Sequence, residues 1–428
     1  LTWNHTGVEH DVRQPEASVD FEDPLRIANG PINGEETPVK KTLSLVAACG
    51  IACTAHAQSS VTLYGIVDAG FRYNSNAGGK SQPAIAGGNE SASRFGFTGS
   101  EDLGNGYKAV FTLENGFTTT TGVLQAGLLF GRQAFVGLGT PYGTVTLGRQ
   151  YLTLSSYLGP FASGTDWAAR GAGWGYHPAG LDDVDGTERA NNAIKYVSPR
   201  YRGLQFGATY SLGGIAGNAT QNDMISAGVD YDGGPFKFAA AYLYVKNPNY
   251  SLFGNNATSS ATGNNFASPI FSGYATAGSQ QVVGAGTSYV FGAFALGGIY
   301  TNTKFFNLGS TAVAGAKLPA DEVGQTATFN TGEANLKYHV TPTVLLGLAY
   351  TYTRASSYNA ESAASYQQWS LGADYALSKQ TDLYFIVLRE TAGGFDSTGH
   401  RAVAALTFAT PSASDAQTGF TVGIRHFF

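Results

Sequence analysis

From Gln58 to the C-terminus, apolar side chains recur at every second position in runs of about ten residues, the period of a strand with one face in oil and the other in water. Val61, Leu63, Val67, Ala69 and Phe71 share one face, while Thr62, Asp68 and Arg72 share the other. The split returns in Leu204, Phe206, Ala208 and Tyr210 against Gln205, Gly207, Thr209 and Ser211. It returns again in Leu346, Leu348, Tyr350 and Tyr352 against Gly347, Ala349, Thr351 and Thr353, and in Trp369, Leu371 and Tyr375 against Gln368, Ser370 and Asp374. A soluble sandwich alternates in the same way, so the pattern predicts strands and the connections must decide the architecture.

The connections alternate between tight and long. Glu101 to Asn105, Thr140 to Gly143, Arg200 to Gly203, Gly233 to Pro235, Val340 to Thr343 and Ser378 to Thr381 read as compact turns. Between them lie stretches rich in Gly, Ser, Asn and Ala, such as Asn247 to Gln280 and Phe306 to Thr328. Short turns at one rim and long loops at the other are the marks of a transmembrane barrel, and termini at the same rim demand an even strand count. Counting strand pairs this way predicts an all-β fold, a closed sixteen-stranded antiparallel transmembrane β-barrel, with Arg401 to Phe408 assigned to the last long loop. The final strand, with Phe420, Val422, Ile424, His426 and Phe428 on one face, ends on an aromatic residue.

Composition agrees with strands. The 428 residues include 57 Gly, 24 Tyr and 26 Phe but a single Met, and only 13% are charged, which suits many short strands and turns better than a soluble helical enzyme. No uninterrupted apolar run reaches the roughly 20 residues that a membrane helix needs.

Lys40-Lys41, the apolar stretch Leu43 to Ala52 and Ala55-His56-Ala57 follow one another as the zones of a secretory signal, with cleavage before Gln58. The expected organisation is therefore an upstream, non-native extension over 1–38, a signal peptide over 39–57 and a barrel domain over 58–428. Val46-Ala47-Ala48-Cys49 also has the form of a lipoprotein box, the rival to cleavage at Ala57. Both cysteines, Cys49 and Cys53, fall inside the signal, so the mature barrel needs no disulfide. Residues 1–57 hold 4 Lys/Arg and 8 Asp/Glu, leaving 21 basic and 22 acidic of the chain's 25 and 30. That near-neutral balance argues against nucleic acid as a partner.

Four blocks carry a resemblance: SVTLYGIVDAGF around Val61, SRFGFTGSEDLGNGYKAVFTLENGF from Ser93, GRQAFVGLGTPYGTVTLGRQY from Gly131, and the terminal TVGIRHFF. Together they resemble the trimeric general porins of Gram-negative outer membranes, especially the beta-proteobacterial branch. The resemblance implies passive diffusion of ions and small hydrophilic solutes, a homotrimer set among outer-membrane lipid and lipopolysaccharide, and a third external loop folded inward to narrow the pore. By position that loop is Tyr151 to Glu188. The family's wall arginines correspond to Arg94, Arg132, Arg149 and Arg189, and its acidic pore position to Glu114. The loop acids Asp166, Asp182, Asp183, Asp185 and Glu188 are then expected to face the basic wall, with the choice among Asp182, Asp183 and Asp185 for the waist open, giving a transverse field that favours polar solutes. Arg149 shares parity with Val145 and Leu147, so a pore-facing Arg149 needs a break at Gly148.

Other readings make different demands. A barrel enzyme needs a nucleophile beside a base, and the four histidines after residue 57, His177, His339, His400 and His426, lie beside no nucleophile motif. A substrate-specific channel would use loop aromatics such as Trp167, Trp174 and Tyr176 as steps for sugars, and an adhesin or structural barrel would be plugged. No metal-ligand spacing, phosphate loop or cofactor motif is present, so no cofactor is expected.

Overall fold

The computed structural model describes residues 59–166, 173–316, 318, 320–356 and 362–428. The expected extension and signal over 1–57, and Trp167, lie outside the described residues. Seventeen strand segments form one antiparallel sheet that closes on itself: β1 (Ser60–Ala77), β2 (Lys80–Gly87), β3 (Arg94–Gly104), β4 (Tyr107–Gly116), β5 (Gln133–Thr140), β6 (Gly143–Gln150), β7 (Ala190–Val197), β8 (Leu204–Ser211), β9 (Met224–Gly233), β10 (Phe236–Lys246), β11 (Ser279–Phe291), β12 (Phe294–Phe306), β13 (Ala327–Thr341), β14 (Val344–Ala355), β15 (Ser365–Ala376), β16 (Thr381–Gly393) and β17 (Ala416–Phe427). Closure comes from β1 against β17, running from Ile66 opposite Phe427 to Asn74 opposite Gly419. On its other edge, β1 pairs with β3 through Ser60 to Ile66 and with β2 from Ala69 onward. β2 and β3 are thus two halves of one stave, and the barrel has sixteen staves. Closing the sheet leaves no open edge of backbone groups in hydrocarbon.

The alternation read from the sequence is the inside and outside of this wall. Leu346, Leu348, Trp369, Leu371, Phe385 and Ile424 are exposed, whereas Ala349, Thr351, Gln368 and Ser370 are buried. Outward apolar side chains belong in lipid, and inward polar ones face the lumen. Arg401 to Phe408 forms no strand of its own and lies in the loop between β16 and β17. At the tight-turn rim, Asn105 takes a φ of 53°, the left-handed geometry that a two-residue hairpin demands, between Gly104 and Gly106.

The break in the second stave has a specific cause. Residues 88–93 leave the ladder and turn inward, where the Asp68 carboxylate accepts the backbone N–H groups of Asn89, Glu90 and Ser91 at 2.8–2.9 Å. Tyr384 donates its hydroxyl to the same carboxylate at 2.7 Å. An inward acid on β1 thereby satisfies a run of donors that the interrupted ladder has left without sheet partners.

The third long loop, residues 151–189, enters the barrel. Its helix α1 (Thr153–Leu158) packs on β8 to β11, and Leu152, Leu154, Leu158, Leu181 and Val184 are fully buried there. Inward-facing glycines make the room. A Cβ on Gly228 would meet the Tyr157 ring at 2.6 Å, one on Gly284 the Leu158 side chain at 2.6 Å, and one on Gly286 the Phe161 ring at 2.8 Å. Each buried leucine contributes on the order of 1.5–3 kcal/mol, so the loop carries its own apolar anchor. Farther along, Trp174 is 2% exposed and lies against Gly419 of β17, with the Arg72 guanidinium 4.7 Å from its ring centroid. The loop therefore reaches from the β8–β11 wall to the β17–β1 wall.

Candidate constriction site

Where β6 ends, the chain turns into the lumen at Tyr151, and the arginines of neighbouring staves converge on that phenol. Arg132, just before β5, donates from Nη2 to the Tyr151 hydroxyl at 2.5 Å, and Arg189, just before β7, donates from Nη2 to the same oxygen at 2.8 Å. The Arg189 guanidinium also lies 3.7 Å from the centre of the Tyr151 ring, a cation–π contact. Arg132 pairs through Nε with Glu114 at 2.7 Å, and Tyr64 donates to the second oxygen of that carboxylate at 2.9 Å. Arg189 is steadied by carbonyl oxygens, from Nε to Arg132 at 3.1 Å and from Nη1 to Gly186 and Glu188. Arg94 opens β3 and stands close enough to Glu114 and Tyr151 to act on both electrostatically. Lys195 reaches in from β7, its Nζ donating to the Tyr151 carbonyl at 3.3 Å and to Ser156 at 2.9 Å.

Of the expected wall residues, Arg94, Arg132, Arg189 and Glu114 are brought together, and Arg149 stands at their edge, bonded elsewhere. Gly148 does take a φ of +136°, and the ladder between β6 and β7 slips just there. Arg149 nevertheless stays in register with Ala134 and gives its guanidinium to the Gly131 carbonyl at 2.7 Å and the Asn191 side chain at 2.5 Å. It ties neighbouring staves and makes no hydrogen bond to Tyr151, but stands close enough to Tyr151 and Arg189 to act on both electrostatically.

The loop acids require a correction. Asp182, Asp183 and Asp185 are buried in the loop's own fold; Asp182 and Asp185 gather around His177, and Asp183 alone of the three is acted on by an arginine, Arg189. Asp182 holds His177 Nδ1 at 2.6 Å and accepts the Thr301 hydroxyl of β12 at 2.7 Å. Asp185 accepts the His177 backbone N–H at 2.9 Å and the Thr165 hydroxyl at 3.0 Å, and Asp183 accepts from Thr187 and the Glu188 N–H. On the far side of the imidazole, His177 Nε2 lies 3.5 Å from Glu333 on β13, which also receives Ser163 N–H and Oγ at 2.7 and 3.0 Å. The loop is pinned to β12 and β13 by an acid–histidine–acid series. The side chain of Asp166, at the end of α2 (Ser163–Asp166), lies outside the described residues.

Burial alone would lower the His177 pKa, but the flanking Asp182 carboxylate, with Glu333 behind it, raises it well above the usual imidazole value. Asp182 moves the opposite way: burial favours its neutral form, and the charged imidazole overrides this and holds it low. Asp185 and Glu188 are each pushed up to about 7, chiefly by burial. Burial also lifts Asp183 well above the usual carboxylate range. Acidic residues that look alike in sequence are therefore unequal in charge.

Reading by sequence missed Tyr151, Glu333 and the wall glycines. Tyr151 is the last residue of the GRQAF-to-GRQY block, and the signal was an aromatic placed where a strand ends between two arginines. Glu333 was legible only as a carboxylate on the lumen parity of a strand, a position that costs free energy unless a partner waits. Trp174 is a buried anchor, and Tyr176 packs edge-on against Phe408 of the last long loop at 6.0 Å.

A sixteen-stave barrel with an apolar exterior, a polar lumen and a loop folded across that lumen defines a diffusion pore of the outer-membrane class. The family model described as Gram-negative porin matches residues 42–392, and the chain belongs to that family. Outer membrane porin protein 32 of Delftia acidovorans is 30% identical over 416 residues, covering 91% of this chain and 100% of that protein. An outer membrane porin protein of Bordetella pertussis is 37% identical over 235 residues, 48% of this chain and 59% of the relative's own length, so that match spans little more than half of the relative. Among solved structures, the anion-selective porin from Comamonas acidovorans superposes with a TM-score of 0.63 at 27% identity, covering 87% of this chain and 100% of that one. The protein is thus an outer-membrane, multi-pass β-barrel of the general diffusion porin kind.

Proposed function

We propose that the barrel works as a homotrimeric, weakly selective general diffusion porin whose constriction prefers anions. The observation that carries this is the charge imbalance around Tyr151. Arg94, Arg132 and Arg189 share one carboxylate, Glu114, while the loop acids that would offset them are occupied in the His177 pin or lifted toward neutrality. Arginine keeps its charge when crowded, so the basic side of the constriction stays charged at every ordinary pH. A basic waist in a polar lumen concentrates anions and orients dipolar solutes. The similar porin from Comamonas acidovorans is anion-selective, which supports the same direction.

On this reading residues 39–57 are the export signal and 58–428 the barrel, whose apolar exterior meets outer-membrane lipid and lipopolysaccharide. The constriction contributes no covalent step. His177, 1% exposed and held between two acids, is closed to solutes and is a structural base. Trp174, wedged on Gly419, is likewise unavailable as a step for sugars, which favours the general over the substrate-specific channel.

The test is planar-bilayer conductance of the refolded barrel under a potassium chloride gradient. Openings in groups of three and an anion-signed reversal potential are expected, and R132Q/R189Q should move that potential toward zero or past it. A cation-signed potential in the unaltered barrel, or no change in the double variant, would remove the arginine reading.

A further inference from the structure

Tyr151 is surrounded by groups that respond to its charge. Its hydroxyl oxygen accepts from both Arg132 and Arg189, which holds two like-charged guanidiniums on a single atom. Without an acceptor between them, two such cations repel and spread apart. The ring is fixed from the loop side as well, because Gly186 (φ +61°) passes so closely that a Cβ there would meet the ring at 3.1 Å. A phenol differs from the other acceptors at this waist in one respect: it has a proton to lose within the range where arginine remains charged.

We propose that Tyr151 is a selectivity-determining residue: it bridges Arg132 and Arg189 so that both address one passing anion, and on ionising it cancels one of their charges, lowering the anion preference in alkaline solution. This rests on the anion-preferring constriction described above. The step balances simply: the phenol O–H breaks, the proton leaves to water in the lumen, and the phenolate keeps the electron pair between the guanidiniums. The charged groups around the phenol are Arg94 from β3, Glu114 from β4, Arg132 and Arg189 from the lead-ins of β5 and β7, Arg149 from β6, and Lys195 from β7 at its carbonyl, with Glu188 of the loop acting on Arg149 and Arg189. Burial opposes ionisation, but Arg132 and then Arg189 outweigh it, so the phenol loses its proton more readily than a free tyrosine, whereas Glu114 alone resists.

Reversal potentials of the refolded barrel in a potassium chloride gradient, stepped from about pH 8.5 to about pH 9.5, start above the range where Asp185 and Glu188 ionise and stay below the range where free lysines discharge. The unaltered barrel should lose about half of its anion-to-cation permeability ratio over that range, and Y151F should show a flat profile. An equal fall in Y151F would assign the effect to other groups and overturn the proposal. Ultraviolet difference titration of the unaltered barrel reads the phenol directly, without relying on the variant's folding. One tyrosinate should appear ahead of the others, and its absence below about pH 10 defeats the idea. R132Q/R189Q at neutral pH separates the two claims. If it abolishes selectivity while Y151F follows the unaltered pH profile, the arginine reading stands and the Tyr151 role falls; if it leaves selectivity unchanged, both fall.

Discussion

Loop 151–189 is held at two places by buried charge, and the two differ in what they leave over. At Tyr151 the basic groups outnumber the acids: three arginines gather around one phenol and one carboxylate. At His177 one cation lies between Asp182 and Glu333, with Asp185 lifted toward neutrality beside it. On the proposed reading, the first site is the one that leaves basic charge over for passing solutes. The second uses its charge inside the fold, where hydroxyl and backbone donors from Thr301, Ser163 and Thr351 complete the acids' coordination. If the Tyr151 site sets selectivity as proposed, selectivity and anchoring are separated along one loop, and a substitution should affect one while largely sparing the other.

The largest effect that separates them is expected from H177A. Removing the cation leaves Asp182 and Glu333 buried and facing each other with nothing between, a loss of about 3–5 kcal/mol in loop docking. The loop should detach from β12 and β13, seen as strong open-channel current noise and faster proteolysis within 151–189. The sign of the reversal potential should survive, since the arginines and Glu114 are held on the wall staves. A quiet channel from H177A would show that the apolar anchor of α1 suffices and that the pin is redundant.

A smaller effect should follow pH. His177 has a raised folded pKa, so its contribution is complete below the unfolded value of 6.5 and is lost as pH rises through the folded one. Asp185 and Glu188, raised to about 7, are buried at no charge cost in acid and become a burden as pH climbs from their unfolded values of 3.8 and 4.5 toward 7. Asp182, lowered, contributes above 3.8 and loses that contribution only as pH falls through its depressed folded value. The three trends together make the docked loop firmest in mildly acidic solution, near pH 4–5 by order of magnitude. Open-channel noise should fall on going from neutral to about pH 5 and rise again in stronger acid. Noise that grows steadily from neutral pH downward would show that carboxylate loss dominates and that His177 adds little.

Much of this was legible in the sequence because it is local. Strand parity at Leu346 to Tyr352, the tight turn at Asn105, and the arginines of the SRFGF and GRQAF blocks follow from period, turn chemistry and motif over a few residues. The broken second stave was not legible, since the reason for it is Asp68, which lies some twenty residues before the backbone it satisfies. The fate of the loop acids was hidden for the same reason. Asp182 is met by the Thr301 hydroxyl, and its histidine by Glu333, more than a hundred residues away in sequence. Spacing within the loop cannot show which acid finds such a partner. Gly228, Gly284 and Gly286 read as ordinary strand glycines, although each is a place where a loop side chain must touch the wall.

The smallest effect sharpens the comparison most, because it concerns an acid that sequence alone assigned to the pore. Asp183 takes a φ of 54° and accepts the Thr187 hydroxyl at 3.1 Å and the Glu188 N–H at 2.8 Å through the same oxygen. Among the described residues no cation is hydrogen-bonded to it as His177 is to Asp182, and burial disfavours its charge although Arg189 acts on it electrostatically. Asparagine keeps the shape and the accepting oxygen and is one of the residues that tolerate left-handed geometry. D183N should therefore shift the reversal potential by no more than the scatter between single channels and change docking by less than about 1 kcal/mol. D182N, at the preceding position of the same turn, removes a carboxylate that faces a charged imidazole and should resemble H177A in noise. If D183N instead strengthened anion preference as much as R132Q/R189Q weakens it, Asp183 would have to carry full charge within reach of the lumen, and the separation of selectivity from anchoring would not hold.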